Sequence, residues 1–249
     1  MDNFLDFKNK TILITGASVG IGLATAVLLD SLGANLVLHA SKLESIEKLR
    51  TVFNSKRHLF FRADFSNPHD IEVKFKEIVL DLKFDGYVNC VGMRSRRPLN
   101  LIRPTHTNQI LNTNVTSFLE MVRIITKKNQ FNPGLSIVSI SSISSIVGGG
   151  GVTAYAASKA AVDAAIRCLA KELHKKSIRI NSVLAGQINT EAYKELMNSK
   201  IDKTDQVLDR QYLGLGEADD VANVILFLLC EKSKFITGSS VPVDGGFLS

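Results

Sequence analysis

TILITGASVGIGLATAVLL, residues 11–29, runs from a β-branched apolar stretch through a glycine-rich turn into an apolar helical pattern. Gly16, Gly20 and Gly22 stand at the junction, with Ser18 and Ile21 in the same turn. Glycines there let the backbone fold back sharply, and they leave bare N–H groups and the positive end of a helix where the phosphates of a dinucleotide would lie. Such a turn alone is often no more than a tight strand-to-helix connection, so its meaning depends on the rest of the chain.

The same alternation continues to the last residues. Short β-rich runs at 12–15, 35–39, 58–62, 86–90, 135–140, 178–184 and 239–243 alternate with helical patterns at 21–32, 43–53, 68–82, 107–128, 154–176 and 218–230. Strands apolar on both faces and separated by helices predict an α/β fold: a single doubly wound, Rossmann-type domain over 1–249, whose seven-stranded parallel sheet carries helices on both faces. A chain of 249 residues with 45% hydrophobic content can bury one such core. GGGG at 148–151 is either a loop that lets backbone approach a substrate or a permissive turn into the next helix. The longer, more polar segment 192–216 is expected to be a substrate lid.

Val224–Cys230 is the longest apolar candidate for a bilayer span and is far short of the roughly 20 residues required. The opening MDNFLDFKNK lacks the basic-then-apolar order of a signal peptide, so a cytoplasmic location is expected. Cys90, Cys168 and Cys230 are widely spaced and fit no zinc pattern, and none of the five histidines is expected to be a metal ligand or a base. A net charge of +6 favours anionic partners, but there is no Trp and the Phe residues fall inside apolar segments, which argues against a nucleic-acid surface.

Ser142 ends the apolar run LSIVSISS, and YAASK, residues 155–159, begins thirteen positions later. In a helix Tyr155 and Lys159 share one face, and a serine at the mouth of the preceding strand reaches the same point. A tyrosine hydroxyl needs a nearby cation to exchange its proton at neutral pH, and Lys159 supplies one. Ser142 can then polarise a carbonyl that Tyr155 protonates, which beside a dinucleotide cradle implies hydride transfer. Ser141, Ser144 and Ser145 crowd the same stretch, although on a strand Ser141 faces away from Ser142.

With those residues the chain resembles the classical short-chain dehydrogenase/reductase family over essentially its whole length. The match takes in TGASVGIG, Asp64 in RADFS, NCVG at 89–92, Asn114 in LNTNVTS, Ser142, YAASK, RINSVLAGQINT at 179–190 and the closing GLGEADDVANVILFLLCEKSKFITGSSVPVDGG. The resemblance implies a catalytic set of Ser142, Tyr155, Lys159 and Asn114. In it Tyr155 and Lys159 also contact the coenzyme, Lys159 at the nicotinamide ribose, and Asn114 helps to keep a water on the lysine. It further implies that Gly16, Ser18, Gly20, Ile21 and Gly22 take the phosphates, that Asp64 and Phe65 meet the adenine, that Asn89 and Gly92 lie beside the adenosine, and that Ile188 and Thr190 reach the carboxamide and phosphates. Plain alternatives are an Asn89 that braces the central strand and an Asn114 that makes a local hydrogen bond. Departures from the family pattern are Cys90 and Val91 for Asn and Ala, Ser117 for Gly, and Ala185 for the Pro before Gly186.

Coenzyme choice turns on the end of the second strand, where a carboxylate would bond the ribose 2′-OH and reject a 2′-phosphate. The chain has Ala40 and Ser41 there, followed by Lys42, which leans toward NADP(H) over NAD(H). Val19 stands where many NADP-dependent relatives carry a basic residue. The closing pattern looks most like the 3-oxoacyl-acyl-carrier-protein reductases of fatty acid synthesis, implying a 3-oxoacyl thioester on acyl carrier protein or CoA. Lys127, Lys128, Lys175 and Lys176 would face such a carrier or simply complement helix C-termini. Arg94, Arg96 and Arg97 would face an anionic substrate or lie in a solvated loop. The alternatives are a sugar, polyol or other secondary-alcohol dehydrogenase of the same family, and a dinucleotide-binding protein without catalysis. The resemblance also implies a homotetramer or dimer built through the two long helices.

Overall fold

In the computed structural model, residues 5–78, 82–198 and 210–249 are described. The strands, in chain order, are β1 (Thr11–Thr15), β2 (Asn35–Ala40), β3 (Leu59–Arg62), β4 (Phe84–Asn89), β5 (Phe131–Ser142), β6 (Arg179–Ala185), β7 (Ile188–Asn189), β8 (Gly216–Glu217) and β9 (Ser240–Val243). Seven form one sheet in the order β3-β2-β1-β4-β5-β6-β9 with every pairing parallel, and β7 and β8 make a separate short pair. The chain leaves β1 in one direction across the sheet and returns to place β4 on its other side. The ends of β1 and β4 therefore open a crevice at the point where an α/β sheet binds ligands.

Helices α1 (Gly20–Ser31), α2 (Leu43–Val52), α3 (Ile71–Lys76), α4 (Pro104–Leu111), α5 (Ser117–Ile125), α6 (Ser144–Val147), α7 (Thr153–Leu173), α8 (Glu191–Asn198) and α9 (Ala218–Leu229) complete the set. Successive strand residues point to opposite faces, and both faces are dry. Ile12, Ile14, Leu36 and Leu38 pack with α1, α2 and α9, whereas Leu13, Val37, Tyr87 and Ile137 pack with α3, α5 and α7. Burying each such side chain contributes about 1.5–3 kcal/mol, which explains runs that are apolar at consecutive positions.

The doubly wound sheet is as the sequence predicts, and the differences are local. The helix expected over 107–128 begins at Pro104, whose missing N–H costs nothing at a first helical position, and is interrupted by a π-helical turn at Asn112–Thr116. The expected helix at 68–82 opens with one 3₁₀ turn, Pro68–Asp70, and its α-helical part runs to Lys76. β5 reaches back to Phe131, with a register shift against β4 between Phe84 and Gly86. Of the segment 192–216, residues 199–209 lie outside the described residues. Its returning end is fixed by buried Gln211, which accepts the Gln187 N–H at 2.9 Å and donates to the Gln187 carbonyl at 3.0 Å.

One buried acid ties α7 to the sheet. Asp163 on α7 accepts from the Ser141 hydroxyl at 2.9 Å and from the Ser182 hydroxyl at 2.8 Å, linking the helix to β5 and β6. Two donors satisfy both oxygens, as a carboxylate out of water requires. Among the described residues, no helix is long and apolar enough to cross a membrane, and no group of three metal-ligating side chains is present.

Candidate active site

The crevice over β1 and β4 holds two adjoining chambers whose walls share Ile21, Cys90, Gly92, Ile140, Thr190 and Ala192. Gly16, Ser18, Gly20, Gly22, Ser41, Asp64 and Phe65 border the first. Ser142, Tyr155, Lys159 and Ile188 border the second. The first chamber has the form of a nucleotide cradle. A Cβ on Gly16, whose φ is +71°, would stand 2.9 Å from the Cys90 carbonyl carbon and oxygen, and one on Gly22 would overlap the Gly16 carbonyl oxygen. The turn is thus as close to β4 and to α1 as a bare backbone permits, and it directs the N-terminus of α1, the end that favours an anionic ligand, at the chamber. The residues fit a dinucleotide.

Three expected residues lie off the chamber walls. Lys42 is exposed as the N-terminal cap of α2. Asn89 is turned into the sheet, where its side chain accepts from Thr15 at 3.0 Å and donates to Ser139 at 3.0 Å, bracing β1, β4 and β5. Cys90, Val91 and Gly92 face the cleft beyond it. Burial pushes the Cys90 thiol up to about 12, so it stays protonated beside Lys159.

The third is Asn114, which lies behind the wall. The π-helical turn aims its amide at the segment after β4: Oδ1 accepts the Met93 N–H at 2.7 Å, and Nδ2 donates to the Met93 carbonyl at 3.1 Å and to Ser158 Oγ at 2.8 Å. Ser158 in turn donates to the Tyr155 carbonyl at 2.7 Å. Gly92 is held so near that a Cβ there would be 3.3 Å from Lys159 Nζ.

In the second chamber, Lys159 is buried, donates to the Ile140 carbonyl at 2.7 Å and lies 5.9 Å from the centre of the Tyr155 ring. The Tyr155 hydroxyl has no hydrogen-bond partner among the described residues. Ser142 Oγ accepts the Ser144 N–H at 3.1 Å, which orients the oxygen and leaves its own hydrogen for a ligand. Ser141 points to the other face, toward Asp163, as strand alternation requires. Lys127 pairs with Glu72, and Lys176 donates to the Thr126 carbonyl at 3.2 Å; neither borders the cleft.

Sequence reasoning missed His39. Its buried ring accepts the Gly16 N–H at Nδ1, 3.2 Å away, and donates from Nε2 to the Ala63 carbonyl at 2.9 Å. The ring stacks on Phe65 with centroids 4.2 Å apart, and the His39 carbonyl accepts the Ala17 N–H at 2.9 Å. One residue thus fastens the glycine turn to the wall that carries Asp64 and Phe65. The available signal was its place at the end of the second strand, directly before Ala40 and Ser41, where a coenzyme-selecting residue is expected. Burial holds the imidazole down at about 4, below its usual 6.5. The unfolded chain therefore takes up the proton first: the contribution of His39 is complete above about pH 6.5 and is lost as pH falls toward 4, a change of about 3 kcal/mol. Urea midpoints at pH 7 and 4.5 should separate less for His39→Gln than for the unmodified protein, and an equal separation would contradict this.

Residues 16–248 match the model of a family described as enoyl-(acyl carrier protein) reductase. L-xylulose reductase of Caenorhabditis elegans is 34% identical over 245 residues, 97% of each chain. 3-Oxoacyl-[acyl-carrier-protein] reductase of Bos taurus is 33% identical over 242 residues, 96% of this chain and 98% of its own. The solved structure of ElxO with NADP bound matches with a TM-score of 0.87 at 28% identity, covering 96% of this chain and 99% of that one. Fold and site together define an oxidoreductase acting on CH–OH groups. The chain belongs to the short-chain dehydrogenase/reductase family.

Proposed function

We propose that the protein is an NADP(H)-dependent reductase that converts a ketone to a secondary alcohol, with a 3-oxoacyl thioester on acyl carrier protein or CoA as its substrate. The observation that carries this reading is the joining of the two chambers at Gly92 and Ile140, with Ser142 and Tyr155 on the far side of the join. A dinucleotide held by the first chamber would supply the hydride at the join. Ser142 donates a hydrogen bond to the carbonyl oxygen, and Tyr155 gives that oxygen its proton. Lys159 keeps a positive charge beside Tyr155, favouring release of the proton. Asn114 sets the backbone of Met93 and, through Ser158, the first turn of α7.

The 3-oxoacyl reductase among the relatives supports the thioester. L-xylulose reductase, at slightly higher identity, supports a sugar or polyol instead, and is the second reading. Ala40 and Ser41, with no carboxylate at the end of β2, support NADP(H), as does the NADP-bound neighbour. A cytoplasmic enzyme of fatty acid synthesis, assembled as a dimer or tetramer, is consistent with this reading.

The test is coenzyme oxidation with acetoacetyl-CoA and with L-xylulose, each with NADPH and NADH. NADPH is expected to be preferred at least tenfold, an advantage that Ser41→Asp should erase by placing a carboxylate against the 2′-phosphate. A preference for NADH in the unmodified protein would overturn the coenzyme reading, and turnover of the sugar alone would overturn the thioester.

A further inference from the structure

We propose that Arg94 and Arg96 form an anion subsite in the substrate chamber, so that the ketone reduced there carries a carboxylate or phosphate group beyond its reacting carbonyl. This rests on the reading of that chamber as the place where the ketone binds. Among the described residues, its wall contains three cationic side chains, Arg94, Arg96 and Lys159, and no aspartate or glutamate. Among the described residues, neither guanidinium is paired with a carboxylate. Lys159 is directed to the Ile140 carbonyl and to the tyrosine. The two arginines are left as the uncompensated charge of a concave site, where low-dielectric walls concentrate the field on an incoming anion.

Arg94 is exposed, and Arg96 is tied to the glycine loop. Arg96 is half-buried and, among the described residues, spends only its Nε–H on protein, donating to the Gly150 carbonyl at 3.3 Å, which leaves its terminal nitrogens for a ligand. The neighbouring Arg97 N–H donates to the Gly151 carbonyl at 2.7 Å, fastening 94–97 to the glycine loop. Gly151 makes room for this: a Cβ there would be 3.1 Å from Arg96 Cγ. Gly151 therefore seats an arginine stem, while Gly148, Gly149 and Gly150 line the chamber. Arg94 places its guanidinium 5.9 Å from the centre of the Tyr155 ring, so an anion on it lies only a few atoms from the carbonyl that Tyr155 protonates. A planar fork of donors suits the paired oxygens of carboxylate and phosphate alike.

Two sources of the anion are possible and matched substrates separate them: 3-oxobutanoyl 4′-phosphopantetheine against 3-oxobutanoyl pantetheine, and 4-oxopentanoate against its methyl ester. In at least one pair the charged member should have a kcat/KM tenfold or more above the neutral one. That ratio should fall toward one in Arg94→Ala/Arg96→Ala, and should survive in part in Arg94→Lys. A ratio near one for both pairs, or a ratio the double variant leaves unchanged, overturns the subsite. If neither pair is reduced, these ketones are the wrong substrates, and calorimetric titration of malonate into the NADPH-loaded protein still decides the subsite. Affinity at least tenfold higher than in the double variant sustains it, and equal affinity or no binding overturns it.

Discussion

Tyr155→Phe should lower kcat for ketone reduction by about 100- to 10,000-fold, the range removed when a positioned general acid is lost. The phenyl ring keeps the shape of the side chain, and the backbone contact from Ser158 to the residue 155 carbonyl does not depend on the hydroxyl. The glycine turn, Asp64 and Phe65 border the other chamber and are untouched. NADPH affinity, read by the fluorescence of the bound coenzyme, should therefore stay within about twofold while turnover collapses, the split expected when an interaction made only in the transition state is removed. A variant that retains a tenth of the activity would show that another group delivers the proton.

Gly22→Ala should have the opposite signature. The added methyl has no free volume: it overlaps the Gly16 carbonyl oxygen and comes within 3.0 Å of its carbon and 3.2 Å of Ala17 Cα, all of them backbone. Only movement of the turn relieves the clash, and overpacking of this kind costs about 1–3 kcal/mol. Gly16 cannot yield toward β4, where the Cys90 carbonyl already limits it, and His39 pins its N–H from the other side. The turn must give where the phosphates bind, so coenzyme affinity should fall tenfold or more, with a lower thermal midpoint. Undiminished NADPH binding by the folded variant would mean that the cradle is not where the coenzyme sits.

The parts of the molecule legible in the sequence are those whose signal is local. Strand, glycine turn and helix are contiguous at 11–31, and Tyr155 and Lys159 are one turn apart, so neither needed knowledge of the rest of the fold. The π-helical turn was harder to see, although buried side chains at His106, Ile110, Asn114, Phe118 and Val122 recur at every fourth position. At 3.6 residues per turn, steps of four drift by about 40° each, so a regular helix would carry the last of these toward the opposite face. An inserted residue takes back part of that drift, and Asn114 lies within the insertion. His39 and Asn89 depend on partners distant in sequence. His39 is neutral and useful because Ala63, Phe65 and Gly16 surround it, and Asn89 turns inward because Thr15 and Ser139 receive it. Helical spacing and composition contain none of those neighbours.

The bonds from Asp163 to Ser141 and Ser182 also act like the bearing of a lever. Tyr155 precedes Asp163 by eight residues on α7, about 12 Å along the axis. The Tyr155 hydroxyl at the tip, the proposed acid, is thus aligned by a joint set well back along the arm, and Ser141, one half of that joint, is the chain neighbour of Ser142. A helix that pivots by a few degrees about a loosened bearing moves its far end by about an ångström, enough to cost two orders of magnitude in rate. Damage at this carboxylate would accordingly reach the reaction as misalignment, with every group that touches substrate still in the chain.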